Sequence, residues 1–251
     1  MKPDLSGQYI LITGAGRGLG EHLAHHLAGC GASVGVADID KTNAESVAAA
    51  IRANGGQAFA YGGDVSDQAT FLGMADDFAT RGGRIDVIVN NAMLLHYCPV
   101  EQVEDGRLTA MMNVGIKAPF WAAQALLKHM DKARGASMIN MSSPVAHRGY
   151  PNTSAYSAVK GAVTTLTKVL GAELGPQGIR VNAVSPASVP TPGAMGLNTR
   201  EVYEKRATTI PLRRIGTYED NSNAVAFLLS PEASFFNGEV LNVDGGVAAS
   251  A

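Results

Sequence analysis

The chain has little cysteine, no excess of charge of one sign and no long apolar run, and each lack removes a class of protein. Cys30 and Cys98 are the two cysteines among 251 residues. They are too few to staple a fold and stand in neither metal-ligand nor redox spacing, which suits a reducing cytoplasm. No His/Cys/Asp cluster has ligand spacing either, so no metal is expected. Lys and Arg number 20 against 22 Asp and Glu, a net charge of −2. Interspersed charges of this kind exclude the one-sided basic field of a nucleic-acid binder. The apolar stretch in "MKPDLSGQYILITGAG" is cut by glycines and falls far short of the roughly 20 residues of a membrane span, so it reads as a strand and not as a targeting segment. A soluble, cytoplasmic protein with no membrane partner is the expectation.

What is there is an ordinary globular composition, 46% hydrophobic and 17% charged, on a chain long enough to bury a large core without staples. Short Val- and Ile-rich runs at 9–13, 33–37, 58–62, 86–90, 137–141, 180–184 and 239–243 read as buried strands. Between them lie segments of helical period such as "AESVAAAIRAN" and "AVTTLTKVLGAEL". Repeated strand–helix alternation predicts an α/β fold, a doubly wound parallel sheet with helices on both faces and right-handed crossovers. There is no linker, repeat or low-complexity tract, so residues 1–251 are expected to form one domain. The texture changes at about 187–217, where Pro186, Pro190, Pro192 and Pro211 interrupt a segment holding Arg200, Lys205, Arg206, Arg213 and Arg214. Following a late strand, it reads as a lid over the ligand edge of the sheet, the alternative being an inert surface loop.

"LITGAGRGLGEHLAHHL" runs strand, loop, helix. Gly14, Gly18 and Gly20 have the spacing for a tight turn, for close approach of backbone amides to a pyrophosphate, and for a helix amino end that faces negative charge. Asp38 ends the second strand, where a carboxylate can accept hydrogen bonds from both hydroxyls of an adenosine ribose and repel a 2′-phosphate; NAD is therefore expected over NADP. Arg17, inside the loop, is the competing signal for that phosphate. A strand-end turn is the structural alternative for Asp38.

Tyr156 and Lys160 lie four residues apart at the start of the helical segment 154–174, which puts both on one face. Ser143 ends a buried strand, "SMINMSS", at the same sheet edge as the glycine loop, and Asn113 comes from a mid-chain helix. Four polar groups are thereby expected to flank one crevice.

These residues, with "TGAGRGLG", Asp64–Val65, "NNA" at 90–92, "RVNAVSP" and "NVDGG", resemble the short-chain dehydrogenase/reductase family in its compact branch. The resemblance spans nearly the whole chain. It implies a Rossmann-like sheet of seven strands, a nicotinamide cofactor, and hydride transfer between that cofactor and an alcohol or carbonyl. Tyr156 is then the general acid/base, Lys160 its activator, Ser143 the partner of the substrate oxygen and Asn113 the anchor of a water relay. Gly14, Arg17, Gly18, Leu19 and Gly20 would meet the cofactor, together with Asp38 and Ile39 at its ribose, Asp64 and Val65 beside the adenine, Asn91 and Ala92 at the second ribose, and Pro186, Val189 and Thr191 toward the carboxamide. Tyr156 and Lys160 complete those contacts. An unperturbed phenol titrates near pH 10, so the Lys160 ammonium is expected to lower the Tyr156 pKa toward the range where general-base catalysis works. The family also implies a homotetramer, with the helix 154–174 as a contact face.

Three departures stand near the pocket: Met93 where the family shows glycine, Ala187 after Pro186, and Arg214 where glycine is common. Met93 is expected to turn away, into the substrate cavity. Leu94, Leu95, His96, Val145, Tyr150, Ser188, Met195 and Tyr203 are the candidate pocket residues, and suggest a partly apolar alcohol or ketone. The reading is an NAD-dependent alcohol dehydrogenase or carbonyl reductase. Its alternatives are an NADPH-linked 3-oxoacyl thioester reductase and a nucleotide sensor without chemistry, whose usual mark, a missing tyrosine or lysine, is not found.

Overall fold

The computed structural model describes residues 3–191 and 199–250. Seven strands, β1 (Tyr9–Thr13), β2 (Ser33–Asp38), β3 (Gln57–Gly62), β4 (Val87–Asn90), β5 (Ala136–Met141), β6 (Ile179–Pro186) and β7 (Val240–Val243), form one sheet in the order β3-β2-β1-β4-β5-β6-β7. Every neighbouring pair is parallel. All seven sequence-predicted strands are found, because continuous Val/Ile runs suit only strands covered on both faces.

The helices are α1 (Gly18–Gly29), α2 (Lys41–Ala53), α3 (Gln68–Gly82), α4 (Asp105–Met112), α5 (Ala118–His129), α6 (Ser154–Leu174), α7 (Arg200–Thr209) and α8 (Tyr218–Leu229). Their starts are written in the sequence. Asp40 caps α2 through the amides of Thr42 and Asn43, Asp67 caps α3 through Thr70, and Thr217 and Asp220 form a capping box on α8. One face of the sheet is packed by α1, α2 and α8 through Leu23, Leu27, Val47, Ile51, Val225 and Leu228. The other is packed by α3, α5 and α6 through Phe71, Phe78, Leu126, Leu170 and Leu174.

Strand order reverses between β1 and β4, so the loops leaving their carboxyl ends diverge to opposite faces and open a crevice. The glycine loop leaves β1 and the segment 91–99 leaves β4, both into that crevice. Two boundaries differ from expectation. β5 ends at Met141, and Ser143 instead caps a short turn over Pro144–Ala146. The proline-broken segment 187–217 contains α7, with Tyr203 and Ile210 buried; prolines at its borders do not prevent ten residues between them from winding.

Candidate active site

The glycine loop is built by close approach. Gly14 has φ +63, and a Cβ there would lie 2.8 Å from the Ala92 Cα. At Gly16 a Cβ would lie 2.8 Å from the Asp38 carboxyl carbon. No side chain caps α1, where Arg17 occupies the capping position in an extended conformation; the first-turn amides are thus left to whatever anion binds. Asn91 fixes the loop from the far side, donating from Nδ2 to the Thr13 and Gly14 carbonyls at 3.0 Å each. The Thr13 hydroxyl accepts from the amides of Asn91 and Ala92 at 3.1 Å each.

Asp38 is buried, with Oδ2 accepting from the Gly16 amide at 2.8 Å and Oδ1 from the Asp40 amide at 3.0 Å. These bonds aim the carboxylate at the loop and use one acceptor site on each oxygen, so each keeps a lone pair for a ribose hydroxyl. Beside it Ile39 is 74% exposed, an apolar side chain that a planar adenine would cover. Asp64 is exposed and turned into its own loop by the Ser66 amide, and Val65 is buried. A tight glycine turn, an uncapped helix start and a carboxylate at the end of β2 fit a dinucleotide.

A buried polar chain carries the same positional information to α6. Asn90 donates to Asn140 at 2.9 Å, and Asn140 to the Thr167 hydroxyl at 3.0 Å. Ser142 and Thr164 share a hydrogen bond of 2.7 Å. With β4, β5 and α6 pinned together, Lys160 reaches back under the sheet edge and donates to the Met141 carbonyl at 2.6 Å, only 4% exposed. Its Nζ lies 5.6 Å from the centroid of the Tyr156 ring. Ser143 is buried within hydrogen-bonding reach of the Tyr156 hydroxyl. Thr13, Asn140, Thr164 and Thr167 escaped the sequence reading, although polar side chains inside apolar runs are a visible anomaly.

The electrostatics correct one expectation. The Tyr156 phenol is raised above its ordinary value, not lowered: burial is the largest cause, the Tyr97 phenol adds to it, and the Ser143 hydrogen bond opposes it. Lys160 does not reverse this: burial depresses its own pKa to about 8, and its ammonium is engaged by the Met141 carbonyl. Desolvation here outweighs the pairing that the i,i+4 spacing suggested.

Asn113 starts a π-helical turn, Asn113–Lys117, inserted between α4 and α5. Such turns shift the register of a helix and recur at functional sites. Met93 packs beside Gly115. A Cβ on Gly115 of this turn would meet the Met93 sulfur at 3.1 Å, so the thioether lies in the space the bare Gly115 backbone opens. Arg214 makes a two-pronged ion pair with Asp220, at 2.6 and 2.8 Å, fastening the end of the segment 187–217 to the capping box of α8. Ala187 donates from its amide to the Val243 carbonyl at 3.2 Å.

Among the candidate pocket residues, Leu94, Leu95, His96, Val145 and Ser188 are partly buried, Tyr203 is buried, and Tyr150 is largely exposed, facing the Arg148 guanidinium. Met195 lies outside the described residues. Val189 is buried, and the Thr191 amide donates to its carbonyl at 2.8 Å. Leu19 packs against the α1 core, and Pro186 ends β6 opposite Val243. Tyr97, absent from the expected pocket, stands edge-on to Tyr156 with ring centroids 5.6 Å apart. Among the described residues there is no cluster of His, Cys, Asp or Glu able to hold a metal, and no helix long and apolar enough to cross a membrane.

Sheet order, glycine loop and crevice define a nicotinamide-dependent oxidoreductase of the Rossmann type. The family described as "Enoyl-(Acyl carrier protein) reductase" matches residues 14–248, and the chain belongs to the short-chain dehydrogenase/reductase family. It is 37% identical over 246 residues to an uncharacterised oxidoreductase of Methylorubrum extorquens, covering 97% of this chain and 98% of that one. It is 34% identical to a 3-oxoacyl-[acyl-carrier-protein] reductase of Thermotoga maritima, covering 97% and 98%. The solved 7 alpha-hydroxysteroid dehydrogenase with NADH and 7-oxo glycochenodeoxycholic acid superposes with TM-score 0.92 at 32% identity, covering 97% and 95%; the 7alpha-hydroxysteroid dehydrogenase of Escherichia coli is 34% identical over 243 residues, covering 96% and 94%. A putative NAD(P) dependent gluconate 5-dehydrogenase from Beutenbergia cavernae with bound NADP gives TM-score 0.92 at 32% identity, covering 99% of each chain. These relatives support a nicotinamide cofactor without distinguishing its two forms.

Proposed function

We propose that this protein is an NAD-dependent carbonyl reductase or secondary-alcohol dehydrogenase, built as one nucleotide-binding domain over 1–251 with a lid at about 187–217. The observation that carries this reading is the buried lysine: Lys160, held on the Met141 carbonyl beneath Tyr156, keeps an ammonium in the interior at a desolvation cost that an apolar side chain would not carry. The glycine loop, Asp38 and Asn91 would hold a nicotinamide dinucleotide, which would supply or accept the hydride. The chain supplies the proton. Burial keeps the Tyr156 phenol protonated, the form that can donate to a carbonyl oxygen as negative charge develops on it. Ser143 donates a second hydrogen bond to that oxygen and orients it. Lys160 and Asn113 reload the phenol from solvent.

Asp38 supports NAD over NADP, because a 2′-phosphate would meet a buried carboxylate whose position is fixed by two amides. Exposed Arg17 and the kinship to a 3-oxoacyl reductase favour the second reading, an NADPH-linked reductase of oxoacyl thioesters. Exposed Phe120 and Leu127 on α5 and Val169 on α6 support a homotetramer contacting through those helices, and a cytoplasmic location goes with the reading. The test is a Tyr156→Phe variant assayed against a panel of ketones with NADH. Turnover is expected to fall by about 10²- to 10⁴-fold while fluorescence titration shows NADH still bound. Retained turnover would remove Tyr156 from the mechanism, and faster turnover with NADPH would replace the cofactor assignment.

A further inference from the structure

Tyr97 stands between Tyr156 and open space. It belongs to the segment 91–99 after β4, and its ring meets the Tyr156 ring edge-on, with centroids 5.6 Å apart at an interplanar angle of 65°. It also lines a surface cavity of about 680 Å³ whose other walls include His96, Cys98, Glu101 and Arg107. Glu101 and Arg107 are exposed, so this cavity is polar and open to solvent. Tyr156 is only partly buried. How dry its phenol is therefore depends on the groups beside it, and the ring that faces the cavity is one of them.

Backbone bonds hold the contact in place. Cys98, the next residue, donates its amide to the Asn152 carbonyl at 2.9 Å, which ties the segment carrying Tyr97 to the turn that opens α6. Asn152 has φ +66, a left-handed conformation that most side chains adopt only at a cost and that asparagine tolerates. The Thr153 hydroxyl donates to the Tyr150 carbonyl at 2.7 Å, and the Ser157 amide to the Thr153 carbonyl at 2.7 Å. That turn thus runs directly into the helix that carries Tyr156, so both tyrosines are set by one frame. Edge-on aromatic pairs are favourable beyond the area they bury. A ring in contact also takes the place of water that would solvate a phenolate, which disfavours the charged form. The Tyr156 phenol is raised by burial first and by Tyr97 next.

We propose that Tyr97 is a positioning residue of the proton-transfer step, its ring serving as a screen that separates Tyr156 from the cavity beyond. With the screen in place Tyr156 stays in the protonated form that reduction of a carbonyl uses. The role in proton transfer rests on the carbonyl-reductase reading, whereas the screening itself is measured without turnover.

The test is an NMR titration of the full chain with isotopically labelled tyrosine ζ carbons, the Tyr156 resonance being identified by its loss in Tyr156→Phe. Tyr97→Phe keeps the ring, and Tyr97→Ala removes it. Up to about pH 11, one unit above the ordinary phenol midpoint, Tyr156 is expected to stay protonated in the wild type and in Tyr97→Phe. In Tyr97→Ala its midpoint should be lower by about one unit, a part of the roughly 3–5 units that complete burial can impose. Should Tyr97→Ala fail to fold, Tyr97→Leu carries the test, with a shift in the same direction. A merely structural contact would change the melting temperature and leave the titration of Tyr156 where it was. Equal ionisation of Tyr156 at every pH in the wild type and the ring-deleted variant overturns the proposal. So does a shift in Tyr97→Phe as large as that in Tyr97→Ala, which would assign the effect to the hydroxyl. If the titrations come out as expected and the wild type reduces no ketone, the screen stands and the result counts against the carbonyl-reductase reading alone.

Discussion

Replacing Lys160 by methionine keeps its length and removes its charge, which isolates the consequence of burying an ammonium at the site. Burial lowers the Lys160 pKa from 10.5 to about 8. At about 1.4 kcal/mol per pH unit this corresponds to about 3 kcal/mol of stability lost at neutral pH. The sign follows from proton binding. Below about pH 8 folded and unfolded chains both hold the proton and the cost is full. Between about 8 and 10.5 the unfolded chain holds a proton that the folded chain has released, so stability rises with pH. Above that range both are neutral and the cost is gone. In urea unfolding, wild-type stability measured relative to Lys160→Met should thus rise by about 2 kcal/mol from about pH 7.5 to about pH 10. Losing the donor to Met141 adds an offset independent of pH, and the titration of Tyr156 is common to both proteins, so the slope of the difference is the readout. A difference flat across that range would refute the claim that Lys160 is held buried against its charge.

Asp38→Asn removes the negative charge between two backbone donors and should lower the NADH/NADPH ratio of kcat/KM by about tenfold or more; an unchanged ratio would show that another group selects the nucleotide. Gly14→Ala forces a Cβ against Ala92 at a φ of +63, and is expected to cost about 1–3 kcal/mol and to weaken NADH binding measured by fluorescence. Arg214→Ala opens the pair with Asp220, whose carboxyl that guanidinium and the Thr217 cap hold below its usual range. Because the pair is exposed, the melting temperature should move little, and the effect should appear instead as a raised KM from a looser lid.

The strands were legible in the sequence because burial on two faces demands continuous apolar runs, and the glycine loop because Gly14 and Gly20 stand where no side chain fits. The capping residues Asp40, Asp67 and Thr217 were not read from the sequence, although each acts through a hydrogen bond within three residues. Lid structure was less legible. Prolines at 186, 190, 192 and 211 announced interruptions, but α7 lies between them, and its winding is decided by burial of Tyr203 and Ile210.

By itself the sequence determined the strand order in time, the positions of Tyr156 and Lys160 on one helical face, and the chemistry each residue type can perform, since these follow from spacing and functional groups. Only the tertiary structure decided how far the site is removed from water. Depth raises Tyr156, depresses Lys160 and leaves the Tyr203 hydroxyl without a partner. Desolvation depends on what the rest of the chain stacks over a group, and no local pattern encodes that. The same holds for Met93, whose place beside Gly115 joins residues far apart in the chain that only the packing of α4, α5 and the β4 segment brings together.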